Sequence, residues 1–490
     1  MTTLTPSEYE VILRNDFASF IERSFYEVNP GKKLLMAPYI NLIASRLEAC
    51  RQGRIRRLII CVPPRYLKSH CVSVAFAAWL LGHNPATQII CASYAHDLAS
   101  RHALECKTLM LSQFYRRLFR TRLSADKQAV DDFATTKQGF RMATSVGGVL
   151  TGRGADYIVI DDPLKPEEAL SETQRSNVNR WYDNTLLSRL NDKVHGCIII
   201  VMQRLHQDDL VGHVLEQEEW DVLSLPAIAQ QNEEYFIESP LGSYRYYRYA
   251  GEALHPEREP LEKLTAMRQI IGAYDFAAQY QQNPEPLGGA MVKKEWLRYY
   301  VPGERPAQFE RIVQSWDTAN KVGELNDYSV CTTWGEKNKH FYLLFVFRRR
   351  MEYPDLKRAV KEQAQIYKAS TVLIEDKASG TQLIQELITE GVSGITRYMP
   401  PACEKIMRFH GQTAAFENGL VLLPSEAHWL ADYVHEITTF PGSKHDDQID
   451  STTQALAWMR TPIPGWGLLE YYRKLATGEW DINNLPHSKQ

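Results

Sequence analysis

The feature that most constrains this chain is a strand-loop-helix run, RRLIICVPPRYLKS at residues 56–69, matched downstream by a strand that closes on two acids, DYIVIDD at residues 156–162. A phosphate-binding loop needs a strand, a tight turn that offers backbone N–H groups, and a helix N-terminus that faces the phosphates. Lys68 and Ser69 stand where a loop lysine reaches the terminal phosphates and a hydroxyl binds Mg²⁺. The run therefore predicts an ATP site in an α/β domain.

Both glycines of the G-x-x-x-x-G-K-[ST] pattern are missing from this loop, because Val62 and Leu67 stand in their places. A bulky residue at positive φ costs roughly 1–2 kcal/mol, and Pro63 and Pro64 lack N–H donors. We therefore expect the loop to follow a somewhat different path, with donors from residues 65–69. The alternative is a buried strand followed by a solvated Lys-Ser helix start.

The acidic strand favours the nucleotide site, since two carboxylates at a buried strand end call for a cation. Asp161 is expected to hold Mg²⁺ through water, and Asp162 to orient or deprotonate the attacking water. The alternative is a carboxylate that caps the following helix. The strand CIIIVMQ, which ends at Gln203-Arg204, is expected to lie beside it and to sense the γ-phosphate. The arginines available to stabilise transition-state charge are Arg65, Arg153 and Arg204.

A second set of carboxylates lies at strand and helix ends beyond Arg311. Asp317 ends the apolar run IVQSWD, and Glu375 ends TVLIE. Asp446 and Asp447 open the last helix, in KHDDQIDSTTQALAWM. Two-metal phosphodiester cleavage needs three or four converging carboxylates that hold two Mg²⁺ or Mn²⁺ ions about 4 Å apart. The order of these acids predicts a nuclease.

Each of these acids also has a simpler interpretation. Asp317 would cap a turn, Glu375 and Asp376 would be solvated loop acids, and the Asp446-Asp447 pair would be a helix N-cap. We prefer Glu375 to Asp376 because it directly ends the apolar run. Asp446 is preferred only slightly to Asp447. Asp450, one helical turn on, would be a supporting or an exposed group.

Two groups of cations are candidates for phosphate contacts with DNA. Lys405 and Arg408 lie three residues apart on one predicted helix, and Arg348, Arg349 and Arg350 follow an apolar strand. Such side chains track a phosphate backbone without reading its sequence. The alternative for both groups is a solvated surface.

The pattern of apolar runs indicates an α/β chain with two folded domains. Helices are expected in residues 7–52, followed from Arg56 by alternating strands and helices, which is typical of a parallel, doubly wound sheet. Past Arg311, three successive strands and then alternating helices and strands give the order of a ribonuclease-H-like domain. The predicted organisation is a helical region at 1–54, a P-loop ATPase domain of ASCE type at 55–285, a linker at 286–308, a ribonuclease-H-like nuclease domain at 309–462 and a tail at 463–490.

Composition sets few limits on function. The 490 residues carry a formal net charge of −3, which neither announces nor excludes nucleic-acid binding, because local basic stripes matter more. The eight cysteines include no C-x-x-C pair, so we expect neither a zinc site nor a disulfide framework. No apolar run reaches the length of a membrane span, and we expect a cytosolic protein with no membrane partner.

Four segments together resemble the large terminase subunit of tailed bacteriophages and prophages. These are RRLIICVPPRYLKS, GGVLTGRGADYIVIDDPLKPEEA, RWYDNTLLSRL and IVMQRLHQDDLVGHVL. In that family PPR-x-x-KS replaces the glycine-rich loop, usually with glycine before the lysine, so Leu67 is a departure. Asp162 stands where many such motors carry glutamate.

The resemblance implies an ATP-driven DNA-packaging motor fused to a nuclease. It assigns Lys68, Ser69, Asp161 and Asp162 the roles argued above, and it places the nuclease acids in the D-T-A, IED-x-x-x-G and HDD-x-x-D segments. The implied cofactors are ATP with Mg²⁺ and two Mg²⁺ or Mn²⁺ ions at the nuclease site. The implied partners are double-stranded DNA, the portal protein and a small terminase subunit, with five copies of the chain in a ring on the procapsid.

Two other functions are compatible with the same motifs. A helicase-nuclease of DNA repair or defence would need further helicase motifs and a strand-separating element, which the sequence does not display. A degenerate prophage remnant that only binds DNA or portal would explain the lost loop glycines. Against it, every expected acid is present.

Overall fold

The computed structural model of the protein describes residues 5–150, 152–284, 290–318, 328–377, 379–442 and 446–461. The chain divides into two compact units, Met1–Pro286 and Leu287–Gln490. The predicted tail at 463–490 lies outside the described residues, as does the start of the predicted linker.

The first unit begins with helices and continues as a mainly parallel sheet with helices on both faces. The first helix starts with a capping box, in which Thr5 and Glu8 satisfy each other's backbone N–H groups. The helices are α1 (Pro6–Asn15), α2 (Phe17–Val28), α3 (Pro38–Arg51), α4 (Ala77–His83), α5 (His96–Leu111), α6 (Gln113–Leu118), α7 (Glu172–Trp181), α8 (Leu210–Leu215), α9 (Leu261–Ile271) and α10 (Ala273–Asp275). Wider π-helical turns span His70–Phe76, Tyr182–Leu186 and Phe276–Tyr280.

The main sheet of this unit has eight strands in the order β3-β4-β5-β2-β6-β7-β1-β8. The strands in the described residues of the unit are β1 (Arg57–Cys61), β2 (Gln88–Ser93), β3 (Leu123–Gln128), β4 (Asp132–Thr135), β5 (Phe140–Ser145), β6 (Tyr157–Asp161), β7 (Cys197–Met202), β8 (Asp221–Ser224), β9 (Glu233–Ile237) and β10 (Tyr244–Arg248). Neighbours from β5 to β8 are parallel, and β3 and β4 are antiparallel. The predicted parallel α/β sheet is confirmed.

Strand β1 shows why this sheet is covered on both sides. Leu58 and Ile60 join one hydrophobic core, whereas Ile59 and Cys61 join another, because successive side chains point to opposite faces. Strand β7 lies between β1 and β6, so the three carboxyl ends meet at one edge of the sheet. The sheet therefore brings together the loop after β1, the acids at the end of β6 and the polar residues after β7.

Two parts of this unit differ from the sequence prediction. Strands β3 to β5 were not predicted, because β3 (LSADKQ) is a polar edge strand without alternating apolar residues. The tyrosine-rich stretch at 244–249, for which no strand was predicted, contains β10, which pairs with β9 as an antiparallel hairpin. Arg245 and Arg248 pair with Glu234 and Glu233 across that hairpin, so the arginines of this stretch are neutralised by acids.

The second unit is built on one seven-stranded mixed sheet, in the order β11-β17-β14-β13-β12-β15-β16. Its strands are β11 (Arg298–Tyr300), β12 (Arg311–Asp317), β13 (Ser329–Lys337), β14 (His340–Arg349), β15 (Thr371–Glu375), β16 (Ile395–Tyr398) and β17 (Val421–Pro424). Its helices are α11 (Tyr353–Tyr367), α12 (Ser379–Thr389), α13 (Lys405–Glu417), α14 (Leu430–Thr439) and α15 (Asp447–Arg460).

The centre of this second sheet has the predicted ribonuclease-H-like order. Strands β12, β13 and β14 are consecutive antiparallel neighbours, and β15 and β16 add in parallel beside β12. One correction concerns the predicted linker at 286–308, because β11 lies within it and pairs in parallel with β17. Its short, mostly exposed sequence, RYY, carries no apolar run that would signal a strand.

No helix in the described part of the chain is long and apolar enough to cross a membrane.

Candidate nucleotide and nuclease sites

The loop after β1 adopts the left-handed backbone that glycine usually supplies. Arg65 has a φ of 67° and Leu67 a φ of 59°, and the following helical turn starts at His70. The sequence predicted that the bulk of Leu67 would divert the loop. The chain instead accepts the strained conformation, at a cost of roughly 1–2 kcal/mol. The partly buried Leu67 side chain packs against the core, which offsets part of that cost.

The loop lysine is buried and paired with the second acid of β6. Lys68 is 5% exposed, and its Nζ lies 3.0 Å from Asp162 Oδ2 and 3.5 Å from Gln203 Oε1. The Gln203 N–H donates to the other oxygen of Asp162 at 3.3 Å. Burial raises the pKa of Asp162, and the charge of Lys68 opposes that shift. Residues from the three predicted segments thus meet at the edge of the sheet.

The first acid of β6 is held by two serines of the following helical turn. Ser69 Oγ donates to Asp161 at 3.0 Å and Ser73 Oγ donates to it at 2.6 Å. His102 Nδ1 lies 3.5 Å from the same carboxylate. Burial raises the pKa of Asp161, although the Ser73 hydrogen bond and the charge of Lys68 counteract it. The carboxylate and the Ser69 hydroxyl are hard oxygen donors that fit Mg²⁺.

Three supporting residues of this site were missed by sequence reasoning. Ser73 lies one helical turn after Ser69, which is the only signal that could have found it. His102 comes from α5, and burial lowers the pKa of its imidazole to about 4. Arg141 comes from β5, is fully buried and donates to the Ser73 carbonyl at 3.3 Å. Neither His102 nor Arg141 belongs to a recognisable motif.

The three arginines expected near the phosphates occupy different environments. Arg204 Nε donates to both carboxylate oxygens of Asp209, at 3.0 and 2.9 Å. This ion pair holds the Arg204 guanidinium against the N-terminal end of α8, and an ATP contact by Arg204 stays a prediction. Arg153 pairs with Asp132 of β4. Arg65 is exposed on the phosphate loop and is the predicted arginine nearest in sequence to Lys68.

In the second unit, two of the predicted acids end neighbouring parallel strands. Trp316 pairs with Ile374 in parallel strands. Asp317 and Glu375 each follow one residue later, so they lie side by side at the same edge of the sheet. The helix α15 is fixed against this edge because Ser451 Oγ donates to the Ser315 carbonyl at 2.7 Å. The predicted acids at the start of α15 therefore lie at the same end as those of β12 and β15.

The electrostatic environment of Asp317 shows which acids share this site. Its pKa is raised well above the ordinary value, first by burial and then by the negative charges of Asp450, Asp447 and Glu375. Asp446, which was slightly preferred to Asp447, instead pairs with Lys405 at 2.7 Å and is 45% exposed. Asp450 is therefore a member of the acid cluster, although its sequence position alone left it as a supporting or exposed group.

An ion pair distinguishes Glu375 from Asp376. Arg397 donates to Asp376 at 3.0 Å, and the Asp376 side chain is only 8% exposed. Asp376 is thus bound to β16, whereas the charge of Glu375 acts on Asp317. This arrangement agrees with the preference for Glu375.

Cations from two elements, α13 and β14, pair with the acids near Asp317. Lys405 pairs with Asp446 and Asp450, and Arg408 Nη2 lies 3.3 Å from Asp450. Arg348 lies 4.0 Å from both Asp447 and the buried Glu436, a residue that sequence reasoning missed. Arg348 and Arg350 stack on Tyr328, and Arg349 stacks on Phe347. The predicted phosphate-binding cations are therefore partly engaged by protein groups.

Among the described residues, no group of three or more histidine, cysteine or acidic side chains is arranged to hold a metal ion as it stands. The donor set around Asp317 nevertheless fits Mg²⁺ or Mn²⁺ chemically, because it consists of carboxylates. Lys405 is paired with Asp450 and Arg348 with Asp447, so metal binding would require those two side chains to move aside.

Comparisons with known proteins identify both units. A family model described as the terminase large subunit, T4-like-virus type, N-terminal part, matches residues 61–273, and a model of the terminase RNase H-like domain matches residues 314–458. The chain is similar to the solved large terminase of a thermophilic bacteriophage in complex with ADP, with 10% identity over 84% of this chain and 98% of that one and a TM-score of 0.48.

Two further solved structures are similar over different lengths. The large terminase of bacteriophage HK97 is 10% identical over 90% of this chain and 98% of that one, with a TM-score of 0.35. The large terminase nuclease of the thermophilic phage G20c with bound cobalt is 16% identical over 35% of this chain and 98% of that one, with a TM-score of 0.28. No curated protein sequence matches the chain. From the two family models and the fold of its two units, we conclude that the chain belongs to the terminase large subunit family, whose members join a DNA-packaging ATPase to an RNase H-like nuclease.

Proposed function

We propose that this chain hydrolyses ATP in its first unit to drive double-stranded DNA into a procapsid, and that its second unit cuts concatemeric DNA. One observation carries the motor half of the proposal. The buried Lys68 ammonium, the Asp162 carboxylate and the Gln203 amide from three separate segments form one polar group at the end of a parallel sheet. An apolar sheet edge has no structural need for such a group, and its chemistry is that of a nucleotide site.

Each residue of the proposed ATPase site has its own role in ATP hydrolysis. Lys68 would leave Asp162 to contact the terminal phosphates, and the freed Asp162 would accept a proton from the attacking water. Ser69 and Asp161 would hold Mg²⁺, which neutralises phosphate charge when it is bound. Ser73 keeps the Asp161 carboxylate oriented. Arg65 remains the proposed in-loop arginine for transition-state charge.

In the proposed nuclease, Asp317, Glu375, Asp447 and Asp450 would hold two divalent ions, with Asp446 at the rim of the site. The ions would supply an activated water and stabilise the leaving oxygen. Lys405 and Arg408 are well placed to bind phosphates of the cut strand once the metals replace them beside the acids. Arg348 and Arg349, at the end of β14, are proposed to contact the DNA backbone.

The family membership supports a set of partners for this activity. We propose that the chain works as a ring of five copies with the portal protein and a small terminase subunit. The ring would form in the cytoplasm of the bacterial host and act at the portal vertex of the procapsid.

The test separates the two activities in the purified full-length chain. Wild type, Lys68→Ala and Asp317→Ala are compared for DNA-stimulated ATP hydrolysis and for plasmid cleavage with Mg²⁺ or Mn²⁺. We expect Lys68→Ala to lose ATP hydrolysis and keep cleavage, and Asp317→Ala to show the reverse. ATP binding without turnover by wild type would favour a degenerate packaging protein, and ATP-dependent strand displacement would favour a helicase-nuclease.

A further inference from the structure

The phosphate loop has a conformation that its own sequence does not favour. Leu67 and Arg65 both have left-handed backbone angles, and neither is a glycine. For an ordinary residue this conformation is disfavoured about 5- to 30-fold relative to the right-handed one. A loop left to itself would therefore populate its phosphate-binding shape as a minority state, so some other part of the unit must stabilise that shape.

The contact that stabilises the left-handed conformation of the loop comes from the turn between β10 and α9. Arg258 Nη1 donates a hydrogen bond to the carbonyl oxygen of Arg65, the first left-handed residue. The same guanidinium lies over the ring of Tyr66, 4.3 Å from its centroid. One side chain thus holds two consecutive loop residues through a charge-assisted hydrogen bond and a cation–π contact.

Both partners of this contact are themselves fixed. Tyr66 is fully buried, and its ring lies 5.5 Å from Tyr39 and 6.5 Å from His255. The turn that carries Arg258 is closed by hydrogen bonds from the N–H groups of Arg258 and Glu259 to the His255 carbonyl, at 3.1 and 2.9 Å. The Arg258 side chain is only 31% exposed. Arg258 therefore joins a hydrogen-bonded turn to the phosphate loop, and we call this contact the clamp.

We infer that Arg258 is a positioning residue that holds the glycine-free phosphate loop in its nucleotide-binding conformation, an inference that rests on the proposed ATP site. The clamp replaces, through tertiary contacts, the conformational freedom that glycine would have given at position 67. Arg258 acts on the loop backbone and not on the nucleotide. Its loss should therefore matter more while residue 67 disfavours the left-handed conformation than with glycine there, where only the strain at Arg65 remains.

The experiment is a double-mutant cycle in the full-length chain. Binding of a fluorescent ADP analogue is measured for wild type, Arg258→Met, Leu67→Gly and the double variant. We expect Arg258→Met to weaken binding about tenfold in the Leu67 background and about twofold at most in the Leu67→Gly background. Equal weakening in both backgrounds would mean that Arg258 touches the nucleotide or supports the fold generally, and the inference would be wrong.

A second measurement tests the clamp without any nucleotide. The Cys71 N–H donates to the Leu67 carbonyl at 3.0 Å, so hydrogen exchange in residues 66–72 reports the loop conformation. Arg258→Met should speed exchange in this segment severalfold, and Arg258→Lys should speed it less, while β6 and β7 stay unchanged. The control is Arg268→Met, at an exposed arginine of α9. Unchanged exchange in Arg258→Met overturns the inference. If Arg258→Met shows the expected faster exchange but the wild type does not bind ADP, only the proposed ATP site is overturned.

Discussion

Lys68 Nζ lies 3.0 Å from Asp162 Oδ2, so the loop lysine and the proposed general base neutralise each other in the largely buried edge of the first sheet. Removal of the lysine leaves a buried carboxylate without its cation, which costs about 3 kcal/mol. We expect Lys68→Met to lower the free energy of unfolding by roughly that amount, and Lys68→Met/Asp162→Asn to be more stable than Lys68→Met alone. Urea denaturation of the four proteins of this cycle measures the effect. If the loss of unfolding free energy in the double variant equals the sum of the losses in the two single variants, Lys68 and Asp162 do not stabilise each other.

The hydroxyl of Ser73 provides a second prediction at the same edge. Ser73→Ala removes the 2.6 Å hydrogen bond to the fully buried Asp161. We expect a loss of about 1–2 kcal/mol in unfolding free energy and a weaker dependence of ATP affinity on Mg²⁺, because Asp161 would then be held by Ser69 alone among the hydroxyls. Calorimetric titration of ATP with and without Mg²⁺ measures the second effect. The control is Ser176→Ala, at an exposed position of α7, and equal behaviour of the two variants would exclude this role for Ser73.

Local patterns predicted the strand ends that carry chemistry, and tertiary partners remained hidden. Asp161 and Asp317 end apolar strands, and Lys68 stands in the loop after one, so the sequence alone placed them at a sheet edge. His102 and Arg258 come from a helix and a turn without a motif, and only the folded sheet brings them to the site. Strand β3 was missed because a polar edge strand needs no alternating apolar residues.

Contacts that the sequence did not predict also decide the surroundings of individual candidate residues. Gln203 and Arg204 both follow β7, but the guanidinium of Arg204 is bound by Asp209, five residues later. The preference between Asp446 and Asp447 depended on the exact start of α15, and element boundaries are the least predictable part of a fold. In each case the deciding contact is one that spacing along the chain does not encode.

The buried imidazole of His70 predicts a pH dependence of stability. Burial lowers the pKa of His70 to about 4, whereas an unfolded histidine titrates near 6.5. Its stabilising contribution is therefore complete above pH 6.5 and is lost as the pH falls from 6.5 toward 4, because the unfolded state gains the proton first. Between pH 7 and pH 5 this loss amounts to about 2 kcal/mol.

The variant His70→Gln keeps a polar partner for Ser24, whose Oγ lies 3.2 Å from His70 Nε2, and removes the titration. Buried acids such as Asp161 titrate in the opposite direction, so only the difference between variant and wild type is informative. Urea denaturation at pH 7 and pH 5 should show that the variant loses about 2 kcal/mol less than wild type over this interval. Parallel losses in the two proteins would show that His70 is not kept neutral by burial.

Adjacent acids at the end of β15 allow a matched comparison in the nuclease unit. Glu375→Gln should lower metal-dependent plasmid cleavage by at least about a hundredfold, because the proposed site loses a metal ligand. Asp376→Asn should leave cleavage within about threefold and lower stability by about 1 kcal/mol or less, because it removes only the ion pair with the half-exposed Arg397. Loss of cleavage in Asp376→Asn with Glu375→Gln active would reverse the assignment.

The ion pairs of Lys405 lead to the last prediction, an increase in metal affinity on removal of a side chain. Lys405 is paired with Asp446 and Asp450, and these charges raise its pKa although burial lowers it. A divalent ion must displace this ammonium, at a cost of about 0.5 kcal/mol for each of its two pairs near the surface, or about 1 kcal/mol in total. Lys405→Met should therefore bind Mn²⁺ about fivefold more tightly than wild type.

Calorimetric titration of Mn²⁺ into the DNA-free chain separates this effect from any role of Lys405 in binding phosphates. The matched control is Lys361→Met, because Lys361 on α11 pairs with Glu390, an acid that is not among the proposed metal ligands. If Lys405 also binds the cut strand, Lys405→Met combines tighter Mn²⁺ binding with slower cleavage, a pair of changes that a general loss of structure would not produce. Weaker Mn²⁺ binding by Lys405→Met would mean that the ammonium organises the acids for the metal and does not compete with it.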